Sequence, residues 1–468
     1  MIGLSINPFE RARYLGSITQ AGTSQIRVNF PFATEAAPAM YAGQRVSRGQ
    51  VGEFVAVQGY GSIVLGRIIE LRLPDRDRLS VEPEREADEE ANPIATIRLL
   101  GSVDPISGRS TRGIPEPPRI GDHVYLAHPE FLAHAIDLTS SDGGELIGLG
   151  RLSGSNDTMV SLSPNAIFGK HCAVLGSTGG GKSWTTARLV EEISARGGKV
   201  LLLDPTGEYH SFGELADHFQ LGGTHMEDDG RRFASFPHRH LSEGDLFALF
   251  QPSTQVQAPK LRDALMSLKL LAVDPTLGSD GLLIKKFELK KPINSALLLH
   301  DKEIRRPGAP FDISKLPLQI INECVWPTNN GQASSWGGIH DISMSSCVTL
   351  CMRIESTITL SALSPIFDPA PYMSDITGII DDFVSRTCGP HILRVSLQYL
   401  PFENNTREIV VNAIGRHLLS RAREGAFQST PLVVALDEAH QFLNKGVGDE
   451  FNRVSLDAFG LIAKEGRK

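Results

Sequence analysis

The chain has 468 residues, 41% of them hydrophobic and 21% charged, which suits a globular protein of roughly two to four domains. Its formal net charge of −8 argues against a generally basic protein that coats nucleic acid, although a ring or channel needs only a local basic lining. No stretch resembles a signal peptide or approaches the roughly 18 apolar residues of a membrane span, so we expect a cytoplasmic protein without membrane contact.

The five cysteines are sparse and form no CxxC pair, which fits a reducing cytoplasm rather than a disulfide framework. Cys347 and Cys351 are four residues apart, but no second cysteine pair accompanies them. We therefore predict no metal site at these residues.

Residues 1–135 are predicted to be β-rich, because short runs of alternating hydrophobicity recur between glycines and prolines. The predicted strands are Gln25–Phe30, Phe54–Gln58, Ser62–Leu71, Ile94–Leu100 and His123–Leu126. Strands at this spacing predict a small barrel or sandwich. The highly charged stretch from Asp75 to Asn92 is interpreted as an exposed loop.

A linker rich in Gly, Ser and Asp is predicted at 136–165, and an α/β region at 166–468. His171–Leu175 is predicted to be a buried strand, Ser183–Arg196 a helix and Lys199–Asp204 a second strand. This β–loop–α–β order is typical of the start of a parallel sheet.

Residues 210–390 are interpreted as a helical insertion between strands of that sheet, with helices near Leu241–Phe250 and Lys260–Leu271. Its paired lysines and arginines are either solvated faces or nucleic-acid contacts. The sheet pattern resumes after the insertion, with elements at His391–Leu397 (strand), Thr406–Arg423 (helix) and Pro431–Glu438 (strand).

The strongest motif has the form G-x-x-x-x-G-K-S and lies between a predicted strand and a predicted helix, the context expected of a P-loop. Its glycines let successive N–H groups face phosphate oxygens, and the helix N-terminus adds partial positive charge. Lys182 is predicted to reach the β- and γ-phosphates of ATP, and Ser183 to bind Mg²⁺. The predicted nucleotide-binding residues are Gly176, Ser177, Thr178, Gly179, Gly180, Gly181, Lys182, Ser183 and Trp184.

A second motif is the apolar run that ends in Asp437 and Glu438. In a parallel sheet, such a strand delivers its carboxylates to the carboxyl edge, where ligands bind. Asp437 is predicted to hold Mg²⁺, and Glu438 to polarise the attacking water. A buried strand that simply ends in two acids is the alternative for this run taken alone.

The stretch Asp204–Tyr209 follows the strand next to the P-loop helix. Asp204 and Glu208 either tune the metal or the water, or merely mark the exit from the strand. Near the end of the sequence, Arg467 is a candidate to act in trans on the γ-phosphate of a neighbouring subunit, and an ordinary charged helix end is the alternative.

Taken in order, these pieces resemble the HerA family within the HerA/FtsK group of ring-forming ATPases. Besides the β-rich N-terminal region, the resemblance is carried by Gly176–Ser183, Asp204–Tyr209, Val395–Pro401, Leu436–His440 and Ile462–Lys468. It implies an α/β fold in which a RecA-like P-loop ATPase core with a helical insertion follows an N-terminal small β-barrel.

The resemblance also implies a homo-hexamer that moves double-stranded DNA, with Lys182, Glu438 and Arg467 as catalytic residues. An effector, either a nuclease or a sirtuin-like NADase of antiviral defence, is expected to dock on the barrel side of the ring. The family continues with further strands beyond the position of Lys468. We therefore expect the natural chain to be longer.

Two functions remain open from the sequence. The first is an ATP-driven motor that translocates or unwinds double-stranded DNA. The second is an ATP-regulated scaffold that assembles and activates the effector enzyme.

Overall fold

The computed structural model describes residues 7–31, 39–41, 44–46, 49–73, 92–106, 110–136, 146–151, 159–177, 179–223, 232–443, 445–447 and 454–465. The chain divides into two compact units, Met1–Ala173 and Val174–Lys468. The predicted loop from Asp75 to Asn92 lies almost wholly outside the described residues, as do parts of the predicted linker.

The elements of the first unit are β1 (Tyr14–Ala21), β2 (Gln25–Asn29), β3 (Ala39–Tyr41), β4 (Gln44–Val46), β5 (Phe54–Gln58), β6 (Ile63–Arg72), β7 (Ile94–Val103), β8 (Ser110–Arg112), β9 (His123–Leu126), α1 (Pro129–Ile136), β10 (Ile147–Arg151), β11 (Met159–Leu162) and α2 (Pro164–Phe168).

Six antiparallel strands of this unit close into a barrel. Their order is β2-β1-β9-β5-β6-β7, and pairing of β2 with β7 completes the ring. Successive side chains alternate across each strand, so Val55 and Val57 of β5 enter the barrel core, whereas Ala56 between them packs in a second apolar cluster with α1. All five strands predicted here are confirmed, and the β1 strand, which was not predicted, completes the barrel.

The elements of the second unit are α3 (Lys182–Ala195), β12 (Lys199–Asp204), β13 (Ala216–Leu221), β14 (Arg232–Ser235), α4 (Glu243–Phe250), α5 (Gln257–Val273), α6 (Lys290–Leu299), α7 (Asp301–Arg305), α8 (Leu316–Asn322), α9 (Asp341–Ile358), α10 (Ser364–Phe367), β15 (Ser374–Asp375), α11 (Ile376–Ser385), β16 (Ile392–Ser396), α12 (Thr406–Arg423), β17 (Leu432–Leu436), β18 (Lys445–Val447), β19 (Val454–Leu456) and α13 (Ala458–Glu465).

A six-stranded sheet of order β15-β14-β13-β16-β12-β17 organises this unit, and its strand pairs are parallel. All six residues of β12 are buried, since β16 and β17 cover both of its edges and α3 packs against it. The continuous apolar run that predicted this strand reflects that double burial.

The predicted strand His171–Leu175 is wrong, because this segment is irregular and Leu175 is 88% exposed. A strand exists only through pairing, and both edges of β12 are already occupied. The run could join the sheet only beyond β17, and no described strand pairs with that outer edge. A short apolar run fits the pattern of a strand, but the pattern does not show whether a neighbouring strand is available to pair with it.

Among the described residues of the stretch 210–390, α-helices begin only at Glu243. Before that point, β13 and β14 belong to the parallel sheet, and the two-residue β15 joins the sheet later. Their short, partly polar sequences carry little strand signal. Pairing of β13 with β16, and of β14 with β13, decides their conformation. The predicted helices are present as α4 and α5, and α4 begins where Ser242 and Asp245 form a reciprocal capping box.

A buried ion pair joins the central strands of the sheet. Oδ2 of Asp204, at the end of β12, accepts hydrogen bonds from Nε and Nη2 of Arg394 on β16, at 2.7 Å and 2.6 Å. Both side chains are almost fully buried, so each charge depends on the other for the interactions that water would otherwise supply.

None of the helices in the described parts of the chain is both long enough and apolar enough to cross a membrane.

Replacing Arg394 by methionine should lower the free energy of unfolding by about 3–5 kcal/mol, because the Asp204 carboxylate would stay buried without its cation. The matched control is Arg305→Met, whose partner Asp301 is exposed, and its cost should not exceed about 1 kcal/mol. Urea unfolding followed by far-ultraviolet circular dichroism measures both. Equal midpoints for the two variants would contradict this account of the sheet.

Candidate nucleotide-binding site

The P-loop is the turn that leads into α3. Gly179 and Gly181 have φ angles of 74° and 81°, in the left-handed region that glycine adopts without steric cost. Gly181 is the residue that immediately precedes the helix, so the turn and the helix start are one structure. The Nζ atom of Lys182 donates to the carbonyl oxygen of Ser177 at 3.1 Å, which folds the ammonium group back over the loop.

The N-terminus of α3 carries the partial positive charge of a 14-residue helix, and its first turn contains no acidic residue to offset that charge. Leu189, Val190 and Ile193 are buried on the other side of the helix, which fixes α3 against the sheet. An anion at this helix end would meet free backbone N–H groups and the Lys182 ammonium together.

Strand β17 brings Asp437 to the same edge of the sheet. In the parallel register Leu203 lies opposite Leu436, and the N–H of Asp437 donates to the carbonyl oxygen of Leu203 at 3.2 Å. The hydroxyl of Thr206, in the loop after β12, donates to Oδ2 of Asp437 at 3.4 Å. The two acidic motifs, far apart in sequence, therefore meet at the carboxyl ends of neighbouring strands, as predicted for Asp437.

Glu438 follows Asp437 in a left-handed conformation, with a φ angle of 46°. This conformation is costly for a side chain with a Cβ atom and is often found at functional sites. Oε2 of Glu438 lies 3.1 Å from Nδ1 of His440, so the imidazole holds one carboxylate oxygen. The other oxygen remains available to accept a hydrogen bond.

Negative charge is concentrated around Asp437. Burial raises the pKa of Asp437, and the charges of Glu438, Asp204 and Glu208 raise it further. Such a carboxylate gains from a nearby cation. No three His, Cys, Asp or Glu side chains in the described ranges converge tightly enough to hold a metal alone. Mg²⁺ commonly uses one or two protein ligands together with phosphate oxygens and water.

Tyr209 links the two halves of the site, and the sequence analysis did not single it out. Its side chain is 3% exposed, and the hydroxyls of Ser183 and Thr186 lie beside its own hydroxyl. Burial raises the pKa of Tyr209, and the charge of Asp437 raises it further, so the phenol stays neutral. Its Oη atom is buried without a hydrogen bond of good geometry to any described residue. The sequence signal that could have identified Tyr209 is that it is the one aromatic residue in Asp204–Tyr209.

Asp204 organises the loop between β12 and Tyr209. Its Oδ1 atom accepts from the N–H of Gly207 at 2.7 Å and from the hydroxyl of Thr206 at 3.2 Å. Its Oδ2 atom accepts from the N–H of Tyr209 at 3.2 Å, in addition to the Arg394 bonds. These donors make the carboxylate the organiser of the loop, a role that the sequence did not indicate, while its charge also raises the pKa of Asp437.

The remaining predicted residues are placed as follows. Ser183 is half-buried at the start of α3, and Trp184 beside it is 83% exposed on the helix surface. Gly176 and Gly180 complete the described part of the loop, where a Cβ on Gly180 would lie 2.9 Å from the carbonyl oxygen of Ser177. Thr178 and Arg467 lie outside the described residues.

The residues present fit a nucleotide with Mg²⁺. A positive helix end with Lys182 faces a cluster of carboxylates, and the buried Tyr209 hydroxyl lies beside Ser183 without a hydrogen bond of good geometry to a described residue. Ser183 and Asp437 are the residues that would hold the metal, and the P-loop backbone would hold the phosphates.

Comparison with known proteins is consistent with this geometry. Residues 147–306 match the family model described as the central domain of the helicase HerA. Among solved structures, VirB4 of Thermoanaerobacter pseudethanolicus is 15% identical with a TM-score of 0.37, over 64% of this chain and 69% of that chain. That likeness is too weak to carry an argument.

Three curated relatives illustrate the sequence similarity. A probable helicase of Methanocaldococcus jannaschii is 29% identical over 169 residues, which are 34% of this chain and 32% of the relative. The DNA double-strand break repair helicase HerA of Pyrococcus furiosus is 33% identical over 117 residues, 25% and 20% of the two chains. The protein of that name from Saccharolobus solfataricus is 42% identical over 94 residues, 20% and 17% of the two chains.

The matched part of the chain thus spans no more than 32% of the length of these three relatives. The family model covers the region that contains the P-loop, α3, β12 and the loop that ends in Tyr209. Over residues 147–306, the chain is therefore similar to the central domain of the helicase HerA.

Proposed function

We propose that this protein binds ATP with Mg²⁺ and hydrolyses it at the edge of the sheet formed by β12 and β17. The observation that carries the proposal is the meeting of the P-loop helix and Asp437 around the buried Tyr209. When bound, Mg²⁺ would supply charge neutralisation to the phosphates. The protein side chains then position the reacting groups.

Each residue has a defined task in this proposal. Lys182 exchanges its bond to the Ser177 carbonyl for a phosphate oxygen, and the N–H groups of the loop bind the remaining phosphate charge. Ser183 and Asp437 hold the metal. Glu438, with one oxygen at His440, uses its other oxygen to orient a water molecule and accept its proton.

The larger assembly follows from the HerA family relationship. We propose a RecA-like core, a homo-hexameric ring and movement of double-stranded DNA, with Arg467 reaching the active site of the adjacent subunit. Two of the relatives carry the name of a DNA double-strand break repair helicase, which supports DNA as the substrate. The acidic net charge of −8 confines DNA contact to local basic regions.

A second candidate function is an ATP-regulated scaffold for an effector such as a nuclease or a sirtuin-like NADase. It is favoured by exposed apolar side chains in loops of the barrel unit: Tyr60, Ile106 and Ile120 are each at least 70% exposed. Large apolar groups on a surface mark candidate docking sites for proteins. The two functions are compatible within one complex.

ATP hydrolysis by the purified chain should rise in the presence of linear double-stranded DNA. Lys182→Ala should abolish nucleotide binding, and Glu438→Gln should keep binding but lower the rate by about 100-fold or more, because the water loses its base. The exposed Glu214→Gln is the matched control and should behave as the wild type.

Steady-state phosphate release with and without DNA measures these effects. Hydrolysis that is indifferent to DNA would count against the motor and in favour of the scaffold. In that case the protein should co-purify with an effector whose activity follows the nucleotide state.

Tyr209→Phe should raise the Mg²⁺ concentration needed for half-maximal ATPase activity by about two- to ten-fold. The variant loses the hydroxyl beside Ser183, and this factor corresponds to the loss of one hydrogen bond. The ring remains buried in the variant, so thermal stability should change little. Tyr399→Phe, at a partly exposed tyrosine, is the control. An unchanged Mg²⁺ dependence would remove Tyr209 from the site.

Arg467→Ala should lower the rate by about 10³- to 10⁵-fold if its guanidinium acts on a neighbouring subunit. Mixing inactive Arg467→Ala and Lys182→Ala subunits should then restore partial activity, because some interfaces combine an intact P-loop with an intact arginine. Mass photometry should show six subunits in the mixture. Mixed hexamers without recovered activity would show that Arg467 does not act in trans.

A further inference from the structure

A second cavity lies in the helical part of the ATPase unit, away from the P-loop. It has a volume of about 320 Å³, at the lower end of the roughly 300–1,000 Å³ found for small-molecule sites. Residues from α5, from the segment before α6, from the loop between α8 and α9 and from the start of α9 line it. None of the sequence motifs described above contributes to it.

Two of the three tryptophans of the chain, Trp326 and Trp336, form walls of this cavity. Backbone hydrogen bonds fix both: the N–H of Trp326 donates to Gly338 O at 2.9 Å, and that of Trp336 donates to Glu288 O at 3.0 Å. Trp326 remains 51% exposed, and neither indole N–H donates to another described residue. The cavity therefore offers fixed aromatic surface with unused hydrogen-bond donors.

Two lysines supply positive charge at the cavity. The Nζ atom of Lys285 lies 2.5 Å from Oε2 of Glu323, and Nζ of Lys260 donates to the carbonyl oxygen of Glu323 at 2.6 Å. Oε1 of Glu323 is also bonded, by the Ser267 hydroxyl at 2.6 Å and the Gln319 amide at 2.8 Å. The Glu323 carboxylate offsets the charge of Lys285, but an ammonium group has three N–H donors and each lysine uses one of them at Glu323, so both keep donors for a ligand.

The surroundings of the cavity add more positive charge. Lys286, Lys290 and Lys291 lie in or next to the segment whose backbone bonds to that of Ser334–Trp336, and no described carboxylate forms an ion pair with them. Within the cavity, Asp263 makes no hydrogen bond to a described residue, so it is an available acceptor. A ligand here meets many donors, one free carboxylate and an aromatic wall.

We propose that this cavity binds a nucleotide unit, with its base stacked on Trp326 and its phosphate between Lys260 and Lys285. Asp263 would accept a hydrogen bond from an amino group of the base, while Trp336 packs against Lys285, whose Nζ lies 5.4 Å from the ring centroid. A free mononucleotide and an unstacked nucleotide of a DNA strand have this same chemistry.

Intrinsic fluorescence isolates the cavity. In a Trp184→Phe/Lys182→Ala chain, only Trp326 and Trp336 emit and the P-loop is disabled. Saturable quenching is expected with dAMP or with a ten-residue oligo-dA. Saturation by dAMP identifies a free nucleotide as the source, and saturation only by the oligonucleotide identifies a strand. Adenosine, which lacks the phosphate, and inorganic phosphate, which lacks the base, should each bind much more weakly.

Variants test the two halves of the ligand. Lys260→Ala should weaken binding about ten-fold or more, as expected for a charged hydrogen bond, whereas Lys291→Ala outside the cavity should not. Trp326→Ala should weaken binding about five-fold or more by calorimetry, and Trp326→Phe should restore most of it. Trp326 is half exposed, so this pair remains informative if Lys260→Ala fails to fold.

Three results would overturn the proposal. The first is the absence of saturable quenching by either probe at millimolar concentration. The second is equal weakening by Lys260→Ala and Lys291→Ala, which would indicate general charge attraction. The third is saturation by an acidic peptide with no response to nucleotides. Because the P-loop is disabled throughout, none of these results bears on ATP hydrolysis.

Discussion

The carboxylate of Asp204 is the centre on which the candidate nucleotide site depends. It is fully buried at the end of β12, and its two oxygens accept from two loop N–H groups, one hydroxyl and the Arg394 guanidinium. A buried charge of this kind is tolerated only when nearly all its lone pairs are used, since removing one partner costs about 3–5 kcal/mol. The loop after β12 must therefore wrap around Asp204, and that wrapping carries Tyr209 to Ser183.

A second buried cation, Arg407, holds the loop after β16 in place. The guanidinium of Arg407 donates to the carbonyl oxygens of Leu400, Gln398 and Pro205, and it lies over the ring of Phe402. The loops that leave β12 and β16 are thus tied to α12 as one layer. Three peptide carbonyls accept the hydrogen bonds of this cation, and the charges of Glu408 and Glu403 act on it as well.

The site owes its chemistry to two opposed fields at one sheet edge. The start of α3 and Lys182 are positive, while Asp437, Glu438 and Glu208 are negative. A polyanion and a divalent cation bound together match both fields, whereas either alone would match one. Parallel pairing of β12 with β17 places Asp437 next to the loop after β12, because it brings the carboxyl ends of the two strands side by side.

The sequence by itself determined the elements whose signals are local. The glycines and lysine of the P-loop, the buried run of β12, the long helix α12 and five barrel strands follow from residue type and period. Tertiary structure decided what depends on partners distant in the chain. His171–Leu175 found no strand to pair with, whereas β13 formed beside β16 and β14 formed beside β13. Asp204 became a loop organiser through Arg394, 190 residues away, and Trp326 meets Lys260 only because four segments fold around one cavity. Burial and pairing between such distant residues leave no periodic trace in the sequence.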